Sequence, residues 1–289
     1  MRASKSQQPS RDLVRSGVWL EPFGQERRSD EASDAVRSGA GGRSEIVTLA
    51  EGVTLILGDC AEVLPTIATA DAMVTDPPFG IGFDYGDAHD DDPLKYEAMM
   101  KHVVSEAARI VSGACFVWQG MPQCAQWHRW FPAEFRILAA CKGFVQYRPT
   151  PVQWSFDPVI FWGRPMCEPS VYRKDWHVQS KAPFGANRTR IDHPCPRPLE
   201  QVEYVVDLAA MPGQTVIDPF MGSGTTGVAC IRGQRKFIGI EKDPKHFKTA
   251  VQRVREELAQ GSLTFGGGTE PAGEQLHAFQ TEPRNGSKR

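Results

Sequence analysis

The stretch TVIDPFMGSGTTG (215–227) decides the fold, because a glycine loop here joins a short apolar segment to the start of a predicted helix. Gly222 and Gly224 allow the backbone to turn sharply and to approach a ligand with no Cβ in the way. A second apolar segment, KFIGIE (236–241), ends at Glu241, whose carboxylate can accept hydrogen bonds from ribose hydroxyls. This order of strand, loop, helix and acidic strand end predicts a ligand site at the carboxyl edge of a parallel sheet.

Outward from this stretch, apolar segments alternate with helical patterns along the chain. The predicted strands cover 53–58, 72–76, 114–119, 215–219 and 236–241. The predicted helices cover 60–68, 92–111, 123–131, 199–211 and 244–258, and another begins at Thr225. Such alternation is typical of an α/β fold, in which helices cover both faces of a mostly parallel sheet.

The composition defines one globular region with polar flanks. We predict a domain over 46–259, a disordered N-terminal arm over 1–45 and a disordered tail over 260–289, because the flanks have few clustered hydrophobic residues. A net charge of −2 and a hydrophobic fraction of 40% are typical of a soluble globular protein. The sequence has neither an apolar run of membrane-spanning length nor a signal-peptide core, so a cytoplasmic location is expected.

The cysteines and acidic residues do not indicate a metal site. The seven cysteines are scattered and form no C-x-x-C pair, so a zinc site or a disulfide framework is not expected. The aspartates between Asp84 and Asp92 lack the spacing of a calcium loop and suit a solvated loop and helix cap. We therefore predict no metal.

A second motif, Asp76-Pro77-Pro78-Phe79, follows the apolar segment AMVT. The two prolines fix two φ angles and remove two backbone donors, so a carbonyl here can point at a ligand. Asp76 places a carboxylate beside that carbonyl, and Phe79 adds a flat aromatic face. Asp76, Pro77, Pro78 and Phe79 are therefore the candidate catalytic residues.

This set of groups suits methylation of an exocyclic amino group. The amino nitrogen of adenine or cytosine is a poor nucleophile, because its lone pair is delocalised into the ring. Two acceptors aimed at its hydrogens would direct the lone pair at a methyl donor and stabilise the developing positive charge. An aromatic ring would stack on a base that has left the duplex, which offsets part of the cost of unstacking.

Together, DPPF and FMGSGTT resemble the catalytic and cofactor motifs of amino-group DNA methyltransferases. The catalytic motif comes first, as in the permuted β group of that family. The resemblance covers roughly 53–258. It implies a Rossmann-like S-adenosylmethionine-dependent methyltransferase fold with circularly permuted motif order and a mostly parallel seven-stranded sheet covered by helices on both faces.

The resemblance also assigns a set of cofactor-binding residues. Glu241 would take the ribose of S-adenosyl-L-methionine, and Asp59 would lie near its adenine. Arg197 stands where lysine is common in the family's H-P-x-x-K/R-P motif, and Phe79 replaces the commoner tyrosine. The cofactor-binding residues implied in this way are Asp59, Asp218, Phe220, Gly222, Ser223, Gly224, Thr225, Thr226, Glu241, His193 and Pro194.

The expected activity is site-specific transfer of a methyl group to adenine N6 in double-stranded DNA, because family members whose motif opens with Asp usually modify adenine. Cytosine N4 is the alternative base. An NAD(P)-dependent Rossmann oxidoreductase is the alternative of another class, since 222–227 also fits G-x-G-x-x-G. Pro194-Cys195 resembles the nucleophile of cytosine C5 enzymes, but that chemistry would leave DPPF without a role.

The region between the two motifs is the predicted DNA-reading part, with a target-recognition insertion at about 150–192. Residues 164–197 carry seven basic and three acidic side chains, interleaved with aromatic residues, in a chain that is otherwise nearly neutral. A solvated loop is the alternative interpretation, and a homodimer is compatible with the sequence. The candidate DNA-binding residues are Arg173, Lys174, Lys181, Arg188 and Arg190.

Overall fold

A computed structural model describes residues 45–79, 93–146, 151–152, 154–167, 172–179 and 197–264. All of the predicted arm except Glu45, and all of the predicted tail except residues 260–264, lie outside the described residues. No helix in the described ranges is both long and apolar enough to cross a membrane.

The core is one sheet in the order β1-β2-β9-β8-β3-β4-β6-β5-β7. Its strands are β1 (Glu45–Ala50), β2 (Val53–Leu57), β3 (Ala72–Thr75), β4 (Ala114–Trp118), β5 (Arg136–Gln146), β6 (Trp154–Gly163), β7 (Trp176–Val178), β8 (Thr215–Asp218) and β9 (Lys236–Glu241). The five central strands, β2, β9, β8, β3 and β4, pair in parallel. Strand β6 is antiparallel to both of its neighbours, β4 and β5. The sheet has nine strands instead of the predicted seven, because β1 and the three-residue β7 extend its edges.

Helices cover both faces of this sheet, as predicted. They are α1 (Cys60–Val63), α2 (Pro93–Ile110), α3 (Leu199–Ala209), α4 (Thr225–Arg232) and α5 (Pro244–Thr264). Successive residues of a strand point to opposite faces. Val74 therefore packs in one core cluster with residues of α3, α4 and α5, whereas Met73 packs in another with residues of α1 and α2. The Trp-rich segment forms a 3-10 helix, Met121–Arg129, beside α2.

Four strands, β1, β5, β6 and β7, were not predicted. Within the range predicted as an insertion, Trp154–Gly163 lies in the sheet between β4 and β5. A proline inside an apolar run argues against a central strand, since it cannot donate to the ladder. Here Pro158 is nevertheless paired with Ala139, and its carbonyl accepts a hydrogen bond from Gln119 N.

The two motifs lie side by side although they are far apart in the chain. Strand β3, which leads into DPPF, pairs in parallel with β8, which leads into the glycine loop; Met73 is opposite Ile217. Parallel neighbours end at the same edge of a sheet, which is where open α/β folds bind ligands. The permuted motif order thus produces one site.

Candidate active site

A cavity of about 480 Å³ opens at this edge of the sheet. Four predicted residues line it: Asp59, Pro78, Phe220 and Glu241. Its far wall was not predicted and comes from one face of α2. The residues lining it there are Lys95, Tyr96, Ala98, Met99 and His102.

Glu241 is held by the backbone around it. Its Oε2 accepts a hydrogen bond from Gly222 N at 2.9 Å and its Oε1 accepts one from Asp243 N at 2.7 Å. Each carboxylate oxygen has a second lone pair, so the side chain can still accept bonds from a ligand. The glycine loop therefore orients the acid at the end of the neighbouring strand.

Asp59 caps α1, because its Oδ1 accepts a hydrogen bond from Ala61 N at 2.9 Å. Its Oδ2 lies 3.3 Å from Lys242 Nζ at the rim of the same cavity. Asp59 thus has a local structural role and also faces the cavity.

Asp218 is buried between strands and does not line the cavity. Its Oδ1 accepts hydrogen bonds from Thr75 Oγ1 at 2.6 Å and from Phe220 N at 3.0 Å. Burial raises the pKa of the Asp218 carboxyl to about 7, although the bonds from Thr75 and Thr226 oppose the rise. This carboxyl joins the ends of β3 and β8.

The rest of the glycine loop packs against α5. Gly222 and Gly224 have φ values of 53° and 82°. A Cβ at Gly224 would lie 3.0 Å from Ala250 Cα. Arg253 Nη1 donates to Ser223 O at 2.6 Å, to Ser223 Oγ at 3.0 Å and to Thr225 Oγ1 at 3.2 Å. Gly222, Ser223, Gly224, Thr225 and Thr226 are not among the residues that line the cavity.

The DPPF loop continues from β3 beside the cavity. Pro77 is buried and Pro78 lines the cavity. The Phe79 ring packs against Gly120, where a Cβ would lie 3.2 Å from Phe79 Cγ. The guanidinium carbon of Arg197 lies 5.5 Å from the centre of the Phe79 ring, within the range of a cation–π contact.

Arg197 binds Asp76 through both carboxylate oxygens. Its Nε donates to Oδ2 at 2.6 Å and its Nη2 donates to Oδ1 at 3.0 Å. The remaining amino group, Nη1, donates to Asp157 Oδ2, and Lys142 Nζ lies 2.8 Å from Asp157 Oδ1. Sequence analysis missed Asp157 and Lys142. No sequence signal placed Asp157 in the sheet, because the proline that follows it cannot donate to a strand ladder.

Five predicted residues lie outside the described ones: His193, Pro194, Lys181, Arg188 and Arg190. Arg173 and Lys174 are described and exposed. Lys174 Nζ lies 4.4 Å from the centre of the Trp176 ring, which is itself 45% exposed. In the described part of the chain, no group of three or more His, Cys, Asp and Glu side chains could hold a metal.

A protein-family model for N6/N4 methyltransferases, described as DNA methylase, matches residues 146–252. The chain is 36% identical over 85 residues to the type II methyltransferase M.Cfr9I of Citrobacter freundii, covering 29% of this chain and 26% of that protein. It is 43% identical over 79 residues to M.BglI of Bacillus subtilis, covering 27% and 21% respectively. The chain thus spans about a quarter of the length of these curated relatives.

Two solved structures share the fold. The complex of M1.HpyAVI with SAM superposes with a TM-score of 0.54 at 22% identity, over 69% of this chain and 98% of that one. The cytosine-N4-specific PvuII DNA methyltransferase superposes with a TM-score of 0.53 at 17% identity, over 72% and 90%. These similarities confirm the predicted methyltransferase fold.

Proposed function

We propose that this chain transfers a methyl group from S-adenosyl-L-methionine to adenine N6 in double-stranded DNA, as its similarity to DNA methylases over residues 146–252 suggests. The observation that carries the proposal is the position of DPPF. Pro78 lines the same cavity as Phe220 and Glu241, which lie at the ends of neighbouring parallel strands. A bound methyl donor and the proposed catalytic loop would then be in contact.

The cavity fits such a donor in size and in polar groups. A volume of about 480 Å³ lies within the usual range of small-molecule sites. Glu241 can accept hydrogen bonds from a ribose. His102 adds a polar side chain to the opposite wall. When bound, S-adenosylmethionine supplies an activated methyl group on its sulfonium.

Asp76 then acts on the amino group of the base. One carboxylate oxygen would accept an N–H of the amino group, which directs the nitrogen lone pair away from the ring and stabilises the positive charge that develops. The carboxylate can do this while it is bound to Arg197, because each oxygen has two acceptor positions. Phe79 would stack on the flipped base.

Adenine is the proposed base because an aspartate opens the catalytic motif. Cytosine N4 is the alternative, since it presents the same two amino hydrogens to the same acceptors. An NAD(P)-dependent oxidoreductase is the weaker candidate, because it gives DPPF no function and residues 146–252 match a DNA methylase model.

DNA contact is proposed for the exposed surface around β7. Arg173 and Lys174 would bind phosphates, and the exposed ring of Trp176 could stack on a base. Lys181, Arg188 and Arg190 follow in the same basic stretch of the sequence.

Incubation with duplex DNA and S-adenosylmethionine tritiated in the methyl group tests the proposal, followed by digestion to nucleosides. Label on N6-methyladenine is expected. Label on N4-methylcytosine would correct the base and leave the reaction class intact. An absence of label on both would refute the proposed function.

A further inference from the structure

We infer that Arg197 and Asp157, supported by Lys142, are positioning residues that set the orientation of the Asp76 carboxylate. This inference rests on the proposed function, in which that carboxylate accepts a hydrogen bond from the amino group of the base. No motif in the sequence indicated Asp157 or Lys142, and the four side chains come from four separate segments of the chain.

The residues after Asp76 explain why it needs a distant partner. An aspartate in a loop is commonly anchored by a backbone N–H two residues further along. Pro77 and Pro78 have no N–H, so neither of the next two residues can anchor the Asp76 side chain. Three other aspartates of the described chain do use that anchor: Asp59 with Ala61, Asp218 with Phe220 and Asp243 with Lys245.

Arg197 replaces the missing anchor. Its planar guanidinium donates to both Asp76 oxygens, at 2.6 Å and 3.0 Å, and this two-point contact fixes the plane of the carboxylate. A lysine would supply the charge without the fork. The guanidinium carbon of Arg197 also lies 5.5 Å from the centre of the Phe79 ring and 5.8 Å from that of the Trp118 ring, within the range of cation–π contacts.

Asp157 and Lys142 in turn orient Arg197. Asp157 accepts a hydrogen bond from Arg197 Nη1. The opposite edge of the guanidinium, with Nε and Nη2, then faces Asp76. Burial alone would raise the pKa of the Asp157 carboxyl, but Arg197 and Lys142 hold it below its ordinary value. The Arg197 side chain is only 15% exposed. An unpaired guanidinium would be costly there, so the alternating charges stabilise each other.

Kinetics of Arg197→Lys and Asp157→Asn, measured on the full chain with duplex DNA, test the inference. We expect Arg197→Lys to lower kcat about 100-fold, because a reacting group misplaced by about 1 Å can cost that much. We expect Asp157→Asn, which keeps the shape of the side chain, to lower kcat about 10-fold through the loosened Arg197. The KM for DNA and the Kd for S-adenosylhomocysteine should change by less than about 2-fold, since the variants alter only the transition-state interaction.

Two further variants separate positioning from simple stabilisation. Arg235 is a similarly buried arginine that binds Ala210 O through Nε and Nη2, away from the cavity. Arg235→Lys should therefore lower thermal stability and leave kcat unchanged. The Arg197→Lys/Asp157→Asn double variant should lose no more than Arg197→Lys alone, because both act through one contact.

An active wild type whose kcat survives both Arg197→Lys and Asp157→Asn would overturn the inference and leave the proposed function standing. Additive losses in the double variant, or an equal kcat loss in Arg235→Lys, would also overturn it. A wild type that binds S-adenosylhomocysteine but methylates neither base would refute the proposed function itself. Should Arg197→Lys fail to fold, Asp157→Asn alone decides the inference through its kcat and KM.

Discussion

Two loops leave neighbouring parallel strands at the same edge of the sheet, and they are held in place in different ways. The glycine loop after β8 offers its own backbone N–H groups as anchors: Asp218 accepts the N–H of Phe220, and Glu241, 19 residues further along the chain, accepts that of Gly222. The DPPF loop after β3 has two prolines in place of such donors, and its carboxylate is held by Arg197, 121 residues away in sequence. The glycine loop therefore keeps backbone donors that neighbouring carboxylates can bind, whereas the proline loop lacks them and depends on a distant side chain.

This difference also separates two aspartates that look alike in the sequence. Asp76 and Asp218 both precede a proline at the end of a buried strand. Asp218 is 2% exposed and bonded to Thr75, whereas the Asp76 side chain is 30% exposed and faces Arg197. Of these two aspartates, only Asp76 is exposed enough to contact a substrate. Asp218 instead links the ends of two neighbouring strands through its bond with Thr75.

The largest expected effect is on kcat and comes from removing the carboxylate of Asp76. Asp76→Ala should lower kcat by about 1,000-fold or more, because the acceptor for the amino group is lost, in the range seen when a transition-state hydrogen-bond partner is removed. Single-turnover transfer of labelled methyl groups to DNA measures it. Binding of S-adenosylhomocysteine, measured by calorimetry, should stay within about 2-fold of the wild type. Retained transfer would contradict the role given to Asp76.

The next effect tests how the glycine loop is anchored. Gly224→Ala should lower the free energy of unfolding by about 2–3 kcal/mol, because it combines a left-handed φ with a clash against Ala250. Gly213→Ala is the matched control: its φ of 83° is almost the same, but a Cβ there meets nothing within 4 Å. Gly213→Ala should lower the free energy of unfolding by only about 1–2 kcal/mol. Equal losses in urea unfolding would mean that the contact with α5 is unimportant.

The pH dependence of stability should report on the buried Asp218. Its pKa is raised to about 7 in the folded protein, so the folded state holds a proton that the unfolded chain loses near pH 4. The stability that this group contributes is complete below pH 4 and is lost as the pH rises to about 7. The slope is at most about 1.4 kcal/mol per pH unit. Urea unfolding at several pH values measures it, and Asp218→Asn should flatten the curve between pH 4 and 7. An unchanged slope would assign the titration elsewhere.

The smallest expected effect is that of Ser223→Ala. Arg253 would lose its bond to Ser223 Oγ but keep those to Ser223 O and Thr225 Oγ1. The free energy of unfolding should fall by about 0.5–1.5 kcal/mol, with kcat unchanged. A large loss of activity would indicate that this hydroxyl contacts the cofactor and does more than shape the loop.

The sequence predicted best where neighbouring residues decide the structure. The strands β2, β3, β4, β8 and β9 follow apolar runs, and the glycines of the loop after β8 meet the need for positive φ. The strands β5, β6 and β7 were missed because their stability comes from pairing with strands elsewhere in the chain. Pro158 within β6 even argues against a strand, and the sheet accommodates it through its carbonyl.

By itself, the sequence determined the order of the two motifs, the glycine loop and a proline loop that cannot anchor its own aspartate. These are local properties of backbone freedom and missing donors, which the residue types dictate. Only the tertiary structure decided that Asp76 is partly exposed whereas Asp218 is buried, which face of α2 forms the far wall of the cavity, and that Arg197 and Asp157 hold Asp76. Arg197 and Asp157 are 40 residues apart, and Arg197 and Asp76 are 121 apart. Ion pairs at such separations exist only once the sheet has brought four segments of the chain together.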